Sequence, residues 1–250
     1  MAEHKFPTEV IDLPSRGKLY PKDSPLAEGK LELKYMTTRE EDILMSENLI
    51  KKGVVIDKLL DSLIVTPNVK QTDLILGDKN AVLVAARILA YGPEYTTEIN
   101  NPNDSNQKIE HTFDLSQCPF KELSDDIKYD GNSFDFTTPV GKNKLKFKIL
   151  TGADEALVDK DIKQSKKYGY ETTISTRLRY SVIEVDGDNK PETITSFTQN
   201  MLARDSVALR NQILKVSPDI DMTSEVEIGG ETVSVSIPLS VEFFWPSSIE

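Results

Sequence analysis

Two stretches of the chain begin as an alternation of charged and apolar residues and then change to helical spacing. KLELKYMTTREEDIL covers residues 30–44 and KLKFKILTGADEALV covers residues 144–158. A period of two is typical of a half-buried strand, and apolar residues three or four apart are typical of a helix. Thr37 and Glu40 in the first stretch, like the equivalent pair in the second, have the spacing of a helix-capping box. Each stretch therefore predicts a strand that leads into a helix.

The pattern then predicts two more helices and a hairpin. Residues 56–64 place their apolar side chains on one helical face, and residues 81–90 are apolar almost all round. Alternating strands follow on both sides of a polar loop at residues 100–107. Near the C-terminus, SEVEI and ETVSVSIPL flank Gly229 and Gly230, a strong signal for a two-residue hairpin turn.

Three blocks of the chain recur in the same order. Residues 30–44 match residues 144–158 at an offset of 114, IDKLLDSLIV matches STRLRYSVIE at 119, and GDKNAVLVAARILAYGPEY matches MLARDSVALRNQILKVSPDI at 125. Steadily rising offsets are those that small insertions in the second copy would produce, so the blocks predict an internal duplication. We therefore expect an α+β fold of two tandem repeats, each with a strand, three helices and a β-hairpin.

This reading divides the chain into four segments. We expect an extended N-terminal arm at residues 1–29, a first repeat unit at 30–124, a linker and hairpin at 125–143, and a second repeat unit at 144–250. The polar residues before 144 separate the two copies, while the alternating lysines of GKNKLKFK predict a strand with one solvated face.

The arm contains IDLPSRGKLYPKDSPL, with three prolines and one glycine. Proline fixes its own φ and biases the preceding residue toward extended geometry, so this segment is stiff. It is either a strap over its own domain or a hook for another chain, and stiffness reduces the entropy lost on docking. The candidate partner-binding residues in the arm are Leu13, Pro14, Gly17, Tyr20 and Pro21.

Composition and charge exclude several kinds of partner. Lys and Arg number 30 against 41 for Asp and Glu, a net charge of −11, which opposes binding to a phosphate backbone. No apolar run reaches the roughly 18 residues of a membrane span. The first residues lack a basic region followed by an apolar run, so we expect no secretory signal and synthesis in a cytoplasm. We therefore predict neither a nucleic-acid nor a membrane partner.

Residues with catalytic or metal-binding chemistry are few. The chain has two histidines, His4 and His111, and a single cysteine, Cys118, so it cannot form an internal disulfide. His111 shares a predicted strand face with apolar neighbours, which favours a structural role. DGDNK at residues 186–190 lacks the bidentate glutamate of a calcium loop and reads as a solvated turn. We expect no enzymatic activity, no catalytic residues and no small-molecule substrate.

Five segments together resemble the baseplate hub protein family of T-even-type contractile-tailed phages, especially its cyanophage-like members. They are LPSRGKLYP, LKYMTTREEDIL, GDKNAVLVAARILAYGPEY, NMLARDSVALR and FFWP. The resemblance covers nearly the whole chain, and its most specific parts are the LPSxGxxYP arm and MTTREEDIL. It implies a non-enzymatic, late-made structural or assembly protein of the tail baseplate hub. An assembly chaperone for hub components, absent from the finished virion, is the alternative.

The resemblance also implies partners and a location, and it raises the question of a zinc site. The partners would be other phage baseplate hub or tail proteins, met in the host bacterial cytoplasm during assembly, with a final place in the virion tail baseplate. Related hairpins resemble zinc ribbons, but here their loops read INNPNDSNQ and IGGET, and Cys118 with His111 cannot supply four ligands. We therefore expect no metal site and no cofactor.

The C-terminal segment VEFFWPSSIE poses the same choice as the arm. Its aromatic side chains either complete the second hairpin against its own helices or form an interface anchor, a role in which aromatic residues are enriched. These candidate partner-binding residues are Phe243, Phe244 and Trp245.

Overall fold

The structure is a computed structural model that describes residues 6–101, 104–121, 123–124, 126–228, 230–239 and 241–244. It has an α+β fold in which helices pack with small antiparallel sheets. The first part of the chain contains β1 (Thr8–Asp12), β2 (Lys30–Lys34), α1 (Thr38–Leu44), α2 (Glu47–Lys52), α3 (Val55–Leu63), α4 (Leu76–Tyr91), β3 (Glu94–Asn101) and β4 (Asp104–Asp114).

The second part follows with a similar order. It contains β5 (Phe134–Thr137), β6 (Lys144–Phe147), α5 (Gly152–Lys167), α6 (Thr173–Ser181), β7 (Val182–Val185), α7 (Pro191–Asn200), α8 (Ala203–Val216), β8 (Thr223–Ile228) and β9 (Glu231–Ser236). In β6, Leu145 and Phe147 are buried while Lys144 and Lys146 are exposed, so the predicted strand with one solvated face is confirmed.

The prediction of three helices per unit was wrong, because each part has four. The additional helix of the first part, α2, is short and follows Ser46, and it ends at Gly53, which has a φ of 70°. The additional helix of the second part, α7, begins with Pro191 at a position where the missing N–H costs nothing. Gly53 after α2 and Pro191 at the start of α7 are boundary signals that the apolar periodicity does not show.

The first hairpin is also longer than predicted. Strands β3 and β4 pair in antiparallel register as far as Asn101 with Asp104, so the pairing continues into the segment 100–107 that the polar composition had indicated as a loop. A register shift lies between Asn100 and Asn101. Polar residues are compatible with these strands because the two-stranded ribbon is exposed to solvent. Cross-strand pairs such as the ion pair of Lys108 with Glu98, at 2.9 Å, can form there.

The second hairpin has the turn that its sequence predicted. Ile228 pairs with Glu231, which leaves two residues for the turn, and Gly230 has a φ of 88°. A positive φ is the backbone conformation that glycine adopts without strain. The Gly–Gly signal is therefore confirmed by the register of β8 and β9.

Strands from the predicted arm and linker pair with the strands that open each unit. β1 pairs with β2, and Leu33 of β2 forms a further bridge with Ile64. β5 pairs with β6, and β7 completes a three-stranded sheet on the other side of β6. The segments 1–29 and 125–143 thus each contribute a strand beside the unit that follows them.

One hydrophobic cluster contains buried residues of the arm and of both parts of the chain. The contact between the parts is close at the start of α4, where a Cβ on Gly77 would lie 1.8 Å from the Pro218 carbonyl oxygen. The Asn80 amide donates to the Asp219 carboxylate at 3.0 Å, and Ile75 forms a strand-like bridge with Thr151. The segments on either side of the linker therefore share a core.

Candidate interaction surfaces

The N-terminal arm is held by a buried aspartate. The Asp78 carboxylate, in the first turn of α4, accepts hydrogen bonds from the Ser15 backbone N–H at 2.9 Å and from the Ser15 hydroxyl at 2.6 Å. The Tyr20 hydroxyl donates to the same carboxylate at 2.7 Å and accepts from the Ile75 N–H at 3.0 Å. These bonds join the arm to the N-terminal end of the central helix.

Burial governs the protonation of this cluster. It raises the pKa of the Asp78 carboxyl, and the hydrogen bonds from Ser15 and Tyr20 offset part of that effect. Burial, followed by the charge and hydrogen bond of Asp78, also raises the pKa of Tyr20, so its hydroxyl keeps its proton and serves as a donor. The position at the start of α4 further favours a negative charge on Asp78.

The structure places the candidate partner-binding residues of the arm mostly inside the protein. Leu13 is 1% exposed and Tyr20 is 8% exposed, and Pro14 is buried beside them. Gly17 has a φ of 74°, and a Cβ there would lie 2.1 Å from the Ala27 carbonyl oxygen, which explains the glycine. Pro21 is exposed. The four buried residues pack in their own core, as the strap alternative requires, and partner binding by the five arm residues stays a prediction.

A second buried aspartate holds a second loop in the same manner, and sequence reasoning did not single it out. Asp205, in the first turn of α8, accepts from the Val140 N–H at 2.8 Å and the Gly141 N–H at 2.9 Å. These donors lie in the loop between β5 and β6. The available signal was an aspartate at the same early helix position in both parts of the chain, three residues into α4 and α8.

The C-terminal aromatic residues pack against the first part of the chain. Phe243 and Phe244 are at most 1% exposed, and the Phe243 ring meets the Tyr95 ring edge-on at a centroid distance of 4.9 Å. The buried Arg87 guanidinium donates to the Phe243 carbonyl oxygen at 3.0 Å and also to the carbonyls of Gly92 and Glu94. These contacts lie in the first part of the chain, and the role of Phe243 and Phe244 as an interface anchor stays a prediction. Trp245 lies outside the described residues.

The residues with reactive chemistry have structural surroundings. The His111 ring packs edge-on against Phe113 at 4.7 Å, on the strand face that the alternation indicated. Asp186, in the predicted turn, has a φ of 50° and accepts from the Lys144 N–H at 2.8 Å; its hydrogen bonds from Asn143 and Lys144 lower the pKa of its carboxyl. Burial raises the pKa of the Cys118 thiol. Within the described residues, no group of three His, Cys, Asp or Glu side chains could hold a metal ion.

An open groove lies along α5. Gly152 and Val158 are the buried residues of this 16-residue helix. A groove of about 660 Å³ separates its solvent-facing side from the turn after α2, and Lys163 approaches Gly53 across it. Beyond the end of α5, Tyr168 is 68% exposed and Tyr170 is 62% exposed. Tyrosine is enriched in protein–protein contact surfaces.

Comparison with known proteins assigns the chain to a family. The sequence model of the family described as "T4 bacteriophage base plate protein" matches residues 6–245, nearly the whole chain. The chain belongs to this T4 base plate protein family. No curated protein and no solved structure matches.

Membership in the T4 base plate protein family gives a coarse function and location. The chain is a structural protein of a phage baseplate, its partners are other baseplate proteins, and its place is the virion tail. The matched range includes most of the arm and the buried C-terminal residues Phe243 and Phe244. None of the described helices has the length and apolar character needed to span a membrane.

Proposed function

We propose that this base plate protein is a non-enzymatic structural or assembly protein of the baseplate hub. The observation that carries the proposal is the family match over residues 6–245. The hub in particular is favoured by the resemblance of LPSRGKLYP and MTTREEDIL to hub proteins. In both segments the side chains serve the protein's own architecture, since Tyr20 and Glu40 are buried and fully hydrogen-bonded.

Mass spectrometry of purified phage particles tests this function. We expect the chain to be present in a fixed ratio to hub proteins in particles, and to co-purify with those proteins from infected cells. Its absence from particles, combined with co-purification from cells, would favour the chaperone alternative. Absence from both preparations would contradict either role.

We also propose that the chain arose by duplication of one unit. The same ion pair recurs at the strand-to-helix junction of each part: Lys34 with Glu40 at 2.7 Å, and Lys148 with Asp154 at 2.7 Å. Each acidic partner also accepts from the backbone N–H of the preceding threonine, Thr37 or Thr151.

An experimental structure tests the duplication. Residues 30–115 and 144–239 should superpose with the junction strands, the central helices and the hairpins in equivalent places. The proposal fails if α4 and α8 run in different directions relative to the strands that precede them.

A further inference from the structure

The solvent-facing side of α5 carries a row of lysines at helical spacing. Lys160, Lys163 and Lys167 line the groove against the turn after α2, where Lys52 faces them. Residues three, four and seven apart lie on one helical face, so the ammonium groups of α5 point into the same space. Across the described residues, no carboxylate oxygen forms an ion pair with any of these four lysines.

The groove has a positive charge in a chain that is strongly negative. Two carboxylates, Asp57 and Asp159, also line it, and Asp57 is already paired with Lys79 at 2.7 Å. Four lysines against two carboxylates leave a local excess of positive charge, whereas the whole chain has a net charge of −11. A local field of this kind attracts a negatively charged partner to one place on the surface.

Aromatic side chains lie at one end of the groove. Tyr168 lines both this groove and an adjoining cavity of about 320 Å³, which Tyr170 also lines. Ile174, in the first turn of α6, is 51% exposed nearby in sequence. In the adjoining cavity Arg179 is already paired with Asp161, so the remaining contacts there come from aromatic rings and from uncharged hydroxyl and amide groups.

We propose that the α5 groove binds an acidic segment of another baseplate protein, rich in glutamate or aspartate and bearing an apolar side chain that packs on Tyr168 and Tyr170. The inference rests on the proposed function, because that function makes the partners proteins. Exposed lysines supply attraction and orientation, and the tyrosines supply the buried apolar contact that gives affinity. Nucleic acid is disfavoured because a dense polyanion would meet the field of the whole chain.

Fluorescence anisotropy with the full-length protein tests this surface. The probe is a labelled synthetic peptide in which glutamates flank a single phenylalanine. We expect Lys160→Glu combined with Lys163→Glu to weaken binding about tenfold. The matched control, Lys22→Glu with Lys215→Glu, changes the net charge equally at exposed positions elsewhere, and it should leave the affinity within about twofold. Tyr168→Ser should also weaken binding, because Tyr168 is at the groove and too exposed to support the core.

Three results would overturn the proposal. Equal losses in the two double-lysine variants would mean that net charge alone controls binding. Tighter binding of labelled oligothymidylate than of the peptide, with the same dependence on Lys160 and Lys163, would assign the groove to nucleic acid. Undetectable binding of the peptide by the folded, unsubstituted protein would mean that the groove does not bind an acidic segment of this kind. The proposed baseplate function is tested separately, by the protein composition of purified particles, so none of these three results would contradict it.

Discussion

Asp78 and Asp205 occupy the same place in two different helices. Each is the third residue of its helix, each is at most 2% exposed, and each accepts hydrogen bonds from the loop between the two strands that open its part of the chain. Asp78 accepts from one backbone N–H and two hydroxyls, and Asp205 accepts from two backbone N–H groups. A carboxylate near a helix N-terminus is stabilised by the helix dipole, and buried loop N–H groups need acceptors. Asp78 and Asp205 therefore each hold a loop through the same kind of contact, a buried carboxylate in the first turn of a helix.

Asp205→Asn should destabilise the protein by about 2 kcal/mol, because one of two loop N–H groups would face an amide NH₂ group and lose its acceptor. The measurement is urea unfolding followed by circular dichroism. Asp135→Asn is the control, since Asp135 is exposed on β5 in the same sheet. Equal stability of the two variants would show that the loop does not depend on Asp205.

Tyr20→Phe should destabilise the protein by about 2 kcal/mol and loosen the arm. The change leaves the buried Ile75 N–H without an acceptor and takes one donor from Asp78. Thermal unfolding measures the first effect, and the rate of proteolytic cleavage at Lys18 and Lys22 measures the second. Tyr168→Phe, at a hydroxyl that is exposed, should change neither; a wild-type melting temperature for Tyr20→Phe would contradict the strap.

The stability contributed by Glu40 should disappear in acid. Burial opposes ionisation of Glu40, but hydrogen bonds from Lys34, Ser62 and Thr37 outweigh it and lower the pKa of its carboxyl to about 2. A glutamate in the unfolded chain has a pKa of about 4.3. A carboxyl whose pKa is lowered on folding stabilises the protein above the unfolded pKa, and this contribution is lost as the pH falls through the folded pKa.

Glu40→Gln should therefore cost about 3 kcal/mol at neutral pH, a difference that shrinks between about pH 4.3 and pH 2. Urea unfolding of both proteins across this range gives the difference directly. Asp42→Asn, at an exposed position on the same helix, should show little loss at any pH. A Glu40→Gln deficit that does not change with pH would mean that packing, and not charge, is responsible.

Gly77→Ala should destabilise the protein, although alanine is the better helix former by about 1 kcal/mol. The added Cβ would lie 1.8 Å from the Pro218 carbonyl oxygen, so α4 and the segment after α8 would have to separate. Such a separation also weakens the Asn80–Asp219 hydrogen bond. The measurement is the unfolding free energy of Gly77→Ala relative to the unsubstituted protein. An increase would show that the contact between Gly77 and Pro218 is not tight.

The local elements were predictable where short-range chemistry fixes them. The junctions at Thr37 and Thr151, the wet-faced strand β6 and the Gly–Gly turn follow from residues that are neighbours in sequence. Helix α2 was missed because it has only six residues, and α7 was missed although Pro191 at its first position was a start signal. The polar strand segment near Asn100 was missed because cross-strand pairing overrides composition.

Contacts between distant residues were beyond prediction from the sequence. In the strap alternative the Tyr20 hydroxyl donates to Asp78, 58 residues away in the same chain, and in the hook alternative it would bind another chain. The residues near Tyr20 in the sequence do not distinguish these two partners. The same holds for Asp205 with Val140 and for Phe243 with Arg87. The family resemblance concerned the whole chain, so it indicated the baseplate without locating these contacts.

The contact between Arg87 and Phe243 also sets an order of events during translation. The two residues are 156 positions apart, so the guanidinium is made long before the carbonyl that it binds. Until the segment Val241–Phe244 has left the ribosome, the hydrophobic surface around Tyr95 lacks its Phe243 lid and the Arg87 Nε–H must bind water instead. The N-terminal part of the protein thus completes its packing only after Phe243 has been made, and a chain terminated before that residue would carry the opening exposed.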